Sequence, residues 1–337
     1  MIMEFLTDSN WLNPQIDFLL YLQNIRIHEG GIFDSSFNAL TRLGELFWPT
    51  ACICILYWCV DAKSGLYLCL VNGITLVFSQ LLKMSACIYR PWILNDAIKP
   101  SPIVLKAAES YSFPSVHAMT ASSSWGGFAY LTRKKPFICA FFIILTLIIG
   151  FSRLYLGVHT PQDVVIGLLA GVFFIFVFNH LVDWCEKDLN RYLYVLGVIN
   201  IFIIAVLCYI VFKDYPLDYV NGKLLVNPRG GIDVAVTYMG WIMGLTNGVI
   251  LCRRFFPFDA KKGSKISKII RALVGVLTSN LLFYVIQEKI FYNRVISDYK
   301  AIMAITFFVA FYMTAIYPLI FSRLFKNFGY NDTNSKN

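Results

Sequence analysis

Three short segments carry residues that could do chemistry together: Lys83-x6-Arg90-Pro91, Pro114-Ser115-Val116-His117, and Ser152-Arg153-x5-His159-x3-Asp163. They supply three cations, two imidazoles, two hydroxyls and a carboxylate, all at the ends of stretches otherwise too apolar for water. The reaction that uses such a set is phosphoryl transfer. His159 would attack phosphorus to give a phosphohistidine. Asp163, four residues on, would fix the tautomer of that ring and stabilise the imidazolium. His117 would protonate the departing oxygen and then deprotonate the water that releases phosphate. Lys83, Arg90, Arg153, Ser115 and the helix-end amides, that of Val116 included, would hold the equatorial oxygens. No metal and no cofactor is expected, because these cations neutralise charge as magnesium does elsewhere.

Each segment alone has a plainer explanation. Lys83 and Arg90, two helical turns apart, are placed like cations snorkelling to lipid headgroups, and Pro91 would turn Arg90 out of helical geometry. Ser115 or Ser112 can simply cap a helix whose first turn takes Pro114. Thr160, Pro161 and Asp163 read as a cap, a first-turn proline and a capping-box acid. Taken jointly, so matched a set at a membrane boundary argues for function, since ionisable groups there are costly to keep.

The elements that must position these residues are helices in a membrane. Of 337 residues, 58% are hydrophobic and only 15% charged, and the mean hydropathy is +0.62. That composition predicts an all-α, polytopic membrane helix bundle. About nine stretches have spanning length, near 36–60, 65–87, 115–132, 137–154, 162–182, 192–212, 232–252, 268–288 and 300–322. Trp48-Pro49 should kink the first. Gly167 and Gly171, with Ser122 and Gly126, form small-residue seams that admit a close neighbour. Residues 11–28, with Phe18, Tyr21, Leu22 and Ile25 on one face and Asp17, Gln23, Asn24 and Arg26 on others, predict an amphipathic helix lying in the interface. The resulting division is an interfacial segment (1–35), a catalytic helix bundle (36–182), further membrane helices of unassigned role (183–326) and a polar tail (327–337). The acidic and polar start (Glu4, Asp8, Asn10) does not read as a signal peptide, so the first span is expected to direct its own insertion.

The net charge of +9 is scattered among short loops and forms no single basic face, which excludes nucleic acid as partner and favours anionic lipid headgroups. Arg133-Lys134-Lys135 and the basic run around Arg253–Arg271 mark the cytoplasmic side, which puts the candidate site on the extracytoplasmic side. The nine cysteines have no zinc-ligand spacing and read as small apolar residues.

In these three motifs the chain resembles the type-2 phosphatidic acid phosphatase superfamily, which includes membrane lipid phosphatases, glucose-6-phosphatase and the vanadium haloperoxidases. The resemblance covers residues 83–163 and implies the roles given above: His159, His117 and Asp163 catalytic; Lys83, Arg90, Ser115, Val116 and Arg153 binding phosphate. One position departs from the pattern: Val116 stands where the family has glycine, so its branched side chain must turn away from the substrate. The resemblance implies a lipid phosphate or pyrophosphate as substrate, met by lateral entry from the membrane, and allows a homo-oligomer. A sugar-phosphate phosphatase, a phosphotransferase and a non-catalytic lipid transporter are the alternatives. A boundary site with no evident halide channel fits haloperoxidase chemistry poorly.

Overall fold

The computed structural model describes residues 8–107, 110–220, 222–286 and 298–324. The polar tail expected over 327–337 lies outside the described residues. Prolines set several helix starts, because a first-turn residue needs no amide hydrogen and a fixed φ suits the helix. The helices in chain order are α1 (Ser9–His28), α2 (Asp34–Arg42), α3 (Phe47–Cys59), α4 (Ala62–Ala86), the short α5 (Pro91–Leu94), α6 (Val116–Leu131), α7 (Pro136–Tyr155), α8 (Pro161–Glu186) and α9 (Arg191–Phe212). After them come α10 (Pro228–Phe255), α11 (Lys265–Ile286), α12 (Tyr299–Phe311) and α13 (Tyr317–Leu324), the last two joined through a π-turn, Tyr312–Ile316. A two-stranded antiparallel ribbon, β1 (Tyr219–Val220) and β2 (Lys223–Leu224), is the one sheet among the described residues.

Where described, the nine expected stretches are largely helical, the first interrupted over 43–46, but among the described residues six helices are long and apolar enough to cross a membrane, or seven if the bent pair α2–α3 is one span. Helix α6 has only 16 residues and buries Thr120, Ser122, Ser123 and Ser124, so its surroundings are other helices, not lipid. In the first span the 40° bend falls between Arg42 and Phe47. Pro49 lies in the first turn of α3, where a missing amide hydrogen costs little, so it does not make the kink. Helix α7 shows what lies outside the bundle: Phe137, Phe141, Ile144, Leu147 and Phe151 are all exposed. An apolar row of that kind is stable only against hydrocarbon.

The described residues form two compact units that do not follow chain order. Unit 1 comprises residues 1–49, 74–177 and 205–235, and holds every candidate site residue. In it, α8 lies against α6 so closely that a Cβ on Gly171 would sit 1.9 Å from Ser122 Oγ, and one on Gly167 2.9 Å from the Ser115 carbonyl. Ser122 Oγ in turn donates to the Gly167 carbonyl at 3.2 Å. The small-residue seam therefore brings the start of α8 beside the start of α6.

Helix α1 docks through one face and leaves its aromatic stripe outward. Ile16, Leu19, Leu22 and Arg26 are its buried residues, while Phe18, Tyr21 and Ile25 are exposed. The docked face packs on Ile98, Trp92 and Leu154. Arg26 is buried because its guanidinium donates to the carbonyls of Tyr155, at 3.3 Å, and Lys99.

Unit 2 comprises residues 50–73, 178–204 and 236–337. Its tightest seam is Gly240, Gly244 and Gly248 on α10, where added Cβ atoms would lie 2.2–2.5 Å or less from Thr306 Oγ1, the Met303 and Phe307 carbonyls and Thr314 Oγ1. Glu186 accepts both Arg253 Nε (3.2 Å) and a terminal Arg253 nitrogen (2.7 Å), and also Tyr192 Oη at 2.8 Å. All nine cysteines are free; Cys208 is exposed and six of the others are buried.

Candidate active site

Four helix ends build the site: the C-termini of α4 and α7 and the N-termini of α6 and α8. Arg90 and Lys83 converge by a route other than the expected helical repeat. Helix α4 stops at Ala86, Cys87 takes a left-handed φ of 50°, and Arg90 is extended (φ −68°, ψ 153°) ahead of Pro91. Lys83, buried, donates from Nζ to the carbonyls of Tyr111 (2.7 Å) and Ser112 (2.9 Å). The turn is closed from the other side by the Ser112 amide, which donates to the Ile88 carbonyl at 2.7 Å. The first and second motifs are thereby tied into one layer.

Ser115 is the N-cap of α6 and its Oγ accepts from the Ala118 amide at 3.4 Å, so Pro114 lies before the helix and not in its first turn. The Ser115 amide donates to the Asp163 carbonyl at 3.0 Å. The second motif is thus pinned to the third, and the amides of Val116 and His117 are left at the helix end, where the dipole is positive. His117, in the first turn, is partly buried. The charges acting on it are those of Arg153, Arg90 and Lys83.

The third motif supplies the centre. His159 Nε2 lies 3.0 Å from Arg90 Nη1, and its Nδ1 lies 3.2 Å from Asp163 Oδ2 and 3.4 Å from Ser112 Oγ. A guanidinium can only donate and a carboxylate only accept. The proton therefore sits on Nδ1 and the lone pair on Nε2. Burial, then the charges of Arg90, Arg153 and Lys83, push the His159 pKa well below its ordinary value of 6.5 and keep the ring neutral. Asp163 is fully buried; its Oδ2 also accepts from Ser112 Oγ at 2.5 Å and from the Thr160 amide at 2.9 Å. The carboxylate thus caps the helix and orients His159 at once. Thr160 does not cap through its side chain as expected: its Oγ1 is buried without a partner among the described residues. Arg153, buried, donates to Thr41 Oγ1 at 3.0 Å, while its Nε has no partner among the described residues.

Lys83, Arg90, Ser115, His159 and Asp163 are therefore joined by one hydrogen-bond network, and the charges of Lys83, Arg90 and Arg153 act on both imidazoles. The match is to chemistry in which a neutral nucleophile meets an anion. Two family models match the chain. Residues 64–187 match the PAP2 superfamily, and residues 236–328 match the PAP2 superfamily phosphatase transmembrane extension. The chain belongs to the PAP2 superfamily. It is 28% identical over 162 residues to a protein of Dictyostelium discoideum named probable sphingosine-1-phosphate phosphatase, covering 44% of this chain and 38% of that one. It is 28% identical over 133 residues to the undecaprenyl-diphosphatase of Sulfolobus acidocaldarius (39% and 62%). It is 30% identical over 137 residues to phosphatidylglycerophosphatase B of Bacillus subtilis (38% and 61%). The chain thus spans less than two thirds of the length of each of these PAP2 relatives. No solved structure matches it significantly.

Two polar partners in this PAP2 site were not among the expected chemical residues. Thr41 carries no sequence signal, being 112 positions from the Arg153 it meets. Ser112 was readable only as a cap, yet it touches both His159 and Asp163. Ser112→Ala should lower kcat by roughly tenfold to a hundredfold, the cost of one hydrogen bond to a buried charge. Steady-state kinetics on the purified variant checks this, and an unchanged kcat would remove Ser112 from the network.

Proposed function

We propose that this chain is a metal-independent phosphatase of the membrane that hydrolyses a lipid phosphate or pyrophosphate through a phosphohistidine on His159. The observation that carries the reading is the state of His159: a neutral ring, its Nδ1 proton turned to Asp163 and its Nε2 lone pair beside the guanidinium of Arg90. An oxygen of the substrate held by Arg90 places phosphorus within reach of that lone pair. Lys83 and Arg153 add charge for the trigonal-bipyramidal transition state, with the amides of Val116 and His117. His117 serves the leaving oxygen and then the water. The relatives' names all describe phosphatases of lipid phosphates or diphosphates, and a site at helix ends meets a headgroup while the tail stays in hydrocarbon. Arg133-Lys134-Lys135 lies at the other end of α7 from Arg153, which supports an extracytoplasmic site by the positive-inside bias.

The test is phosphate release by the purified chain in detergent with EDTA present. The panel is phosphatidic acid, phosphatidylglycerol phosphate, sphingosine phosphate, a polyprenyl pyrophosphate and glucose 6-phosphate. At least one lipid should be hydrolysed faster than glucose 6-phosphate. Activity on the sugar alone, or activity abolished by EDTA and restored by magnesium, would overturn the proposal.

A further inference from the structure

Residues 205–235 lie between the two family matches, which end at 187 and resume at 236, yet they belong to the same compact unit as the site. Their contacts gather on one feature, the turn between Lys83 and Arg90. Lys213, half-buried, donates from Nζ to the carbonyls of Met84 (2.6 Å) and Ser85 (2.9 Å) and lies 3.3 Å from Cys87 Sγ. A cation there satisfies the last carbonyls of α4 and opposes the negative end of its dipole. Five residues on, Asp218 accepts from the Tyr89 hydroxyl. Gly231 is packed on Met84 and Ser110, where a Cβ would come within 2.8 Å of Met84 Sδ and 3.2 Å of Ser110 Oγ.

The turn needs such support. Cys87 is the only non-glycine residue with a positive φ among the described residues, a conformation that an L side chain rarely holds unaided. Three residues later stands Arg90, whose Nε donates to the Ser110 carbonyl at 2.8 Å and whose Nη1 reaches both the Val158 carbonyl (2.8 Å) and His159. Where the turn goes, the guanidinium goes.

We propose that Lys213 and the Tyr89–Asp218 pair are positioning elements that hold the Cys87–Arg90 turn and so aim Arg90 at the phosphoryl group. This makes Lys213, Asp218 and Gly231 an outer support of the phosphate site. The proposal rests on the phosphate-binding role given to Arg90 above and adds two residues, Lys213 and Asp218, that neither family match contains. None of them touches substrate; they act through Arg90.

The probe is inorganic phosphate or vanadate with the full-length chain in detergent, read both as an inhibition constant and as the rise in melting temperature on adding the anion. Lys213→Met should weaken anion binding about tenfold, because a displaced guanidinium loses its alignment. Lys213→Arg should restore most of it. Asp218→Asn, at an exposed side chain, should weaken binding severalfold and keeps the test decisive if Lys213→Met does not fold. Lower melting temperatures with anion affinity unchanged in Lys213→Met or Asp218→Asn would overturn the proposal, leaving these residues a structural role only. The thermal readout needs no turnover. A wild-type chain that binds phosphate but hydrolyses no lipid would therefore sink the phosphatase reading while still reporting on Lys213.

Discussion

His159→Ala should reduce kcat by about 10⁵-fold, the scale expected when a nucleophile acting as part of a unit is removed. Its Nε2 lone pair is the one group beside Arg90 that can form the covalent intermediate, and no other side chain on the network offers a substitute. Rapid quenching in SDS at alkaline pH, where a phosphoramidate survives, after labelled substrate should show a phosphoryl group on the wild type and none on the variant. Turnover in His159→Ala within tenfold of wild type would overturn the nucleophile assignment. Asp163→Asn should lose about 10³- to 10⁴-fold, since an amide can present a donor to Nδ1 and reverse the tautomer. The pH profile follows from the same geometry. The reactive form of His159 is the neutral one, and burial with three nearby cations lowers its pKa from 6.5. As pH falls, the lone pair survives until the depressed value is reached. The acid limb of kcat/KM for wild type should accordingly lie below pH 6.5, and a limb above it would mean that another group controls activity.

Gly171→Leu should prevent assembly of the catalytic unit. A Cβ there would stand 1.9 Å from Ser122 Oγ and 2.7 Å from the Ser123 amide nitrogen. The second contact is backbone and cannot swing aside. Helices α6 and α8 would have to separate, at a cost of more than about 3 kcal/mol. Their separation would break the bond from the Ser115 amide to the Asp163 carbonyl. The variant should be lost to aggregation on size-exclusion chromatography in detergent. Gly197→Ala makes the control: nothing lies within 4 Å of its Cβ, so it should elute and melt like wild type. A monodisperse, active Gly171→Leu would show that the α6–α8 seam is not what joins the motifs.

Much of the site was legible in the residues because its chemistry leaves local marks. The His159 and Asp163 side chains are four apart at a helix start, where the backbone itself brings them together. Ser115 and Pro161 announce the two helix ends by capping and proline rules that depend only on neighbours. The small-residue seam of Gly167 and Gly171 could be anticipated as a close approach, because a missing side chain has few other uses in a membrane helix. The helical segments themselves followed from hydropathy, since a chain in hydrocarbon must satisfy its own backbone hydrogen bonds.

What failed was reasoning that assumed a local cause for a tertiary effect. Lys83 and Arg90 meet through a left-handed turn at Cys87, not through two turns of helix. Apolar composition alone marked α6 as a span, and with 16 residues it is shorter than the six helices long enough to cross.

Residue types and their spacing alone pointed to phosphoryl transfer, to a helical membrane architecture and to the candidate residues, since charge, capping and hydropathy act over a few positions. Only the tertiary structure showed which nitrogen of His159 faces Asp163, that Ser112 meets His159 and Asp163 while Thr41 meets Arg153, and that Lys213 meets the end of α4. Those outcomes depend on hydrogen bonds between groups tens to more than a hundred positions apart, for example Lys213 with Met84 at a separation of 129. No periodicity in the chain encodes such pairings; they are set when the helices pack.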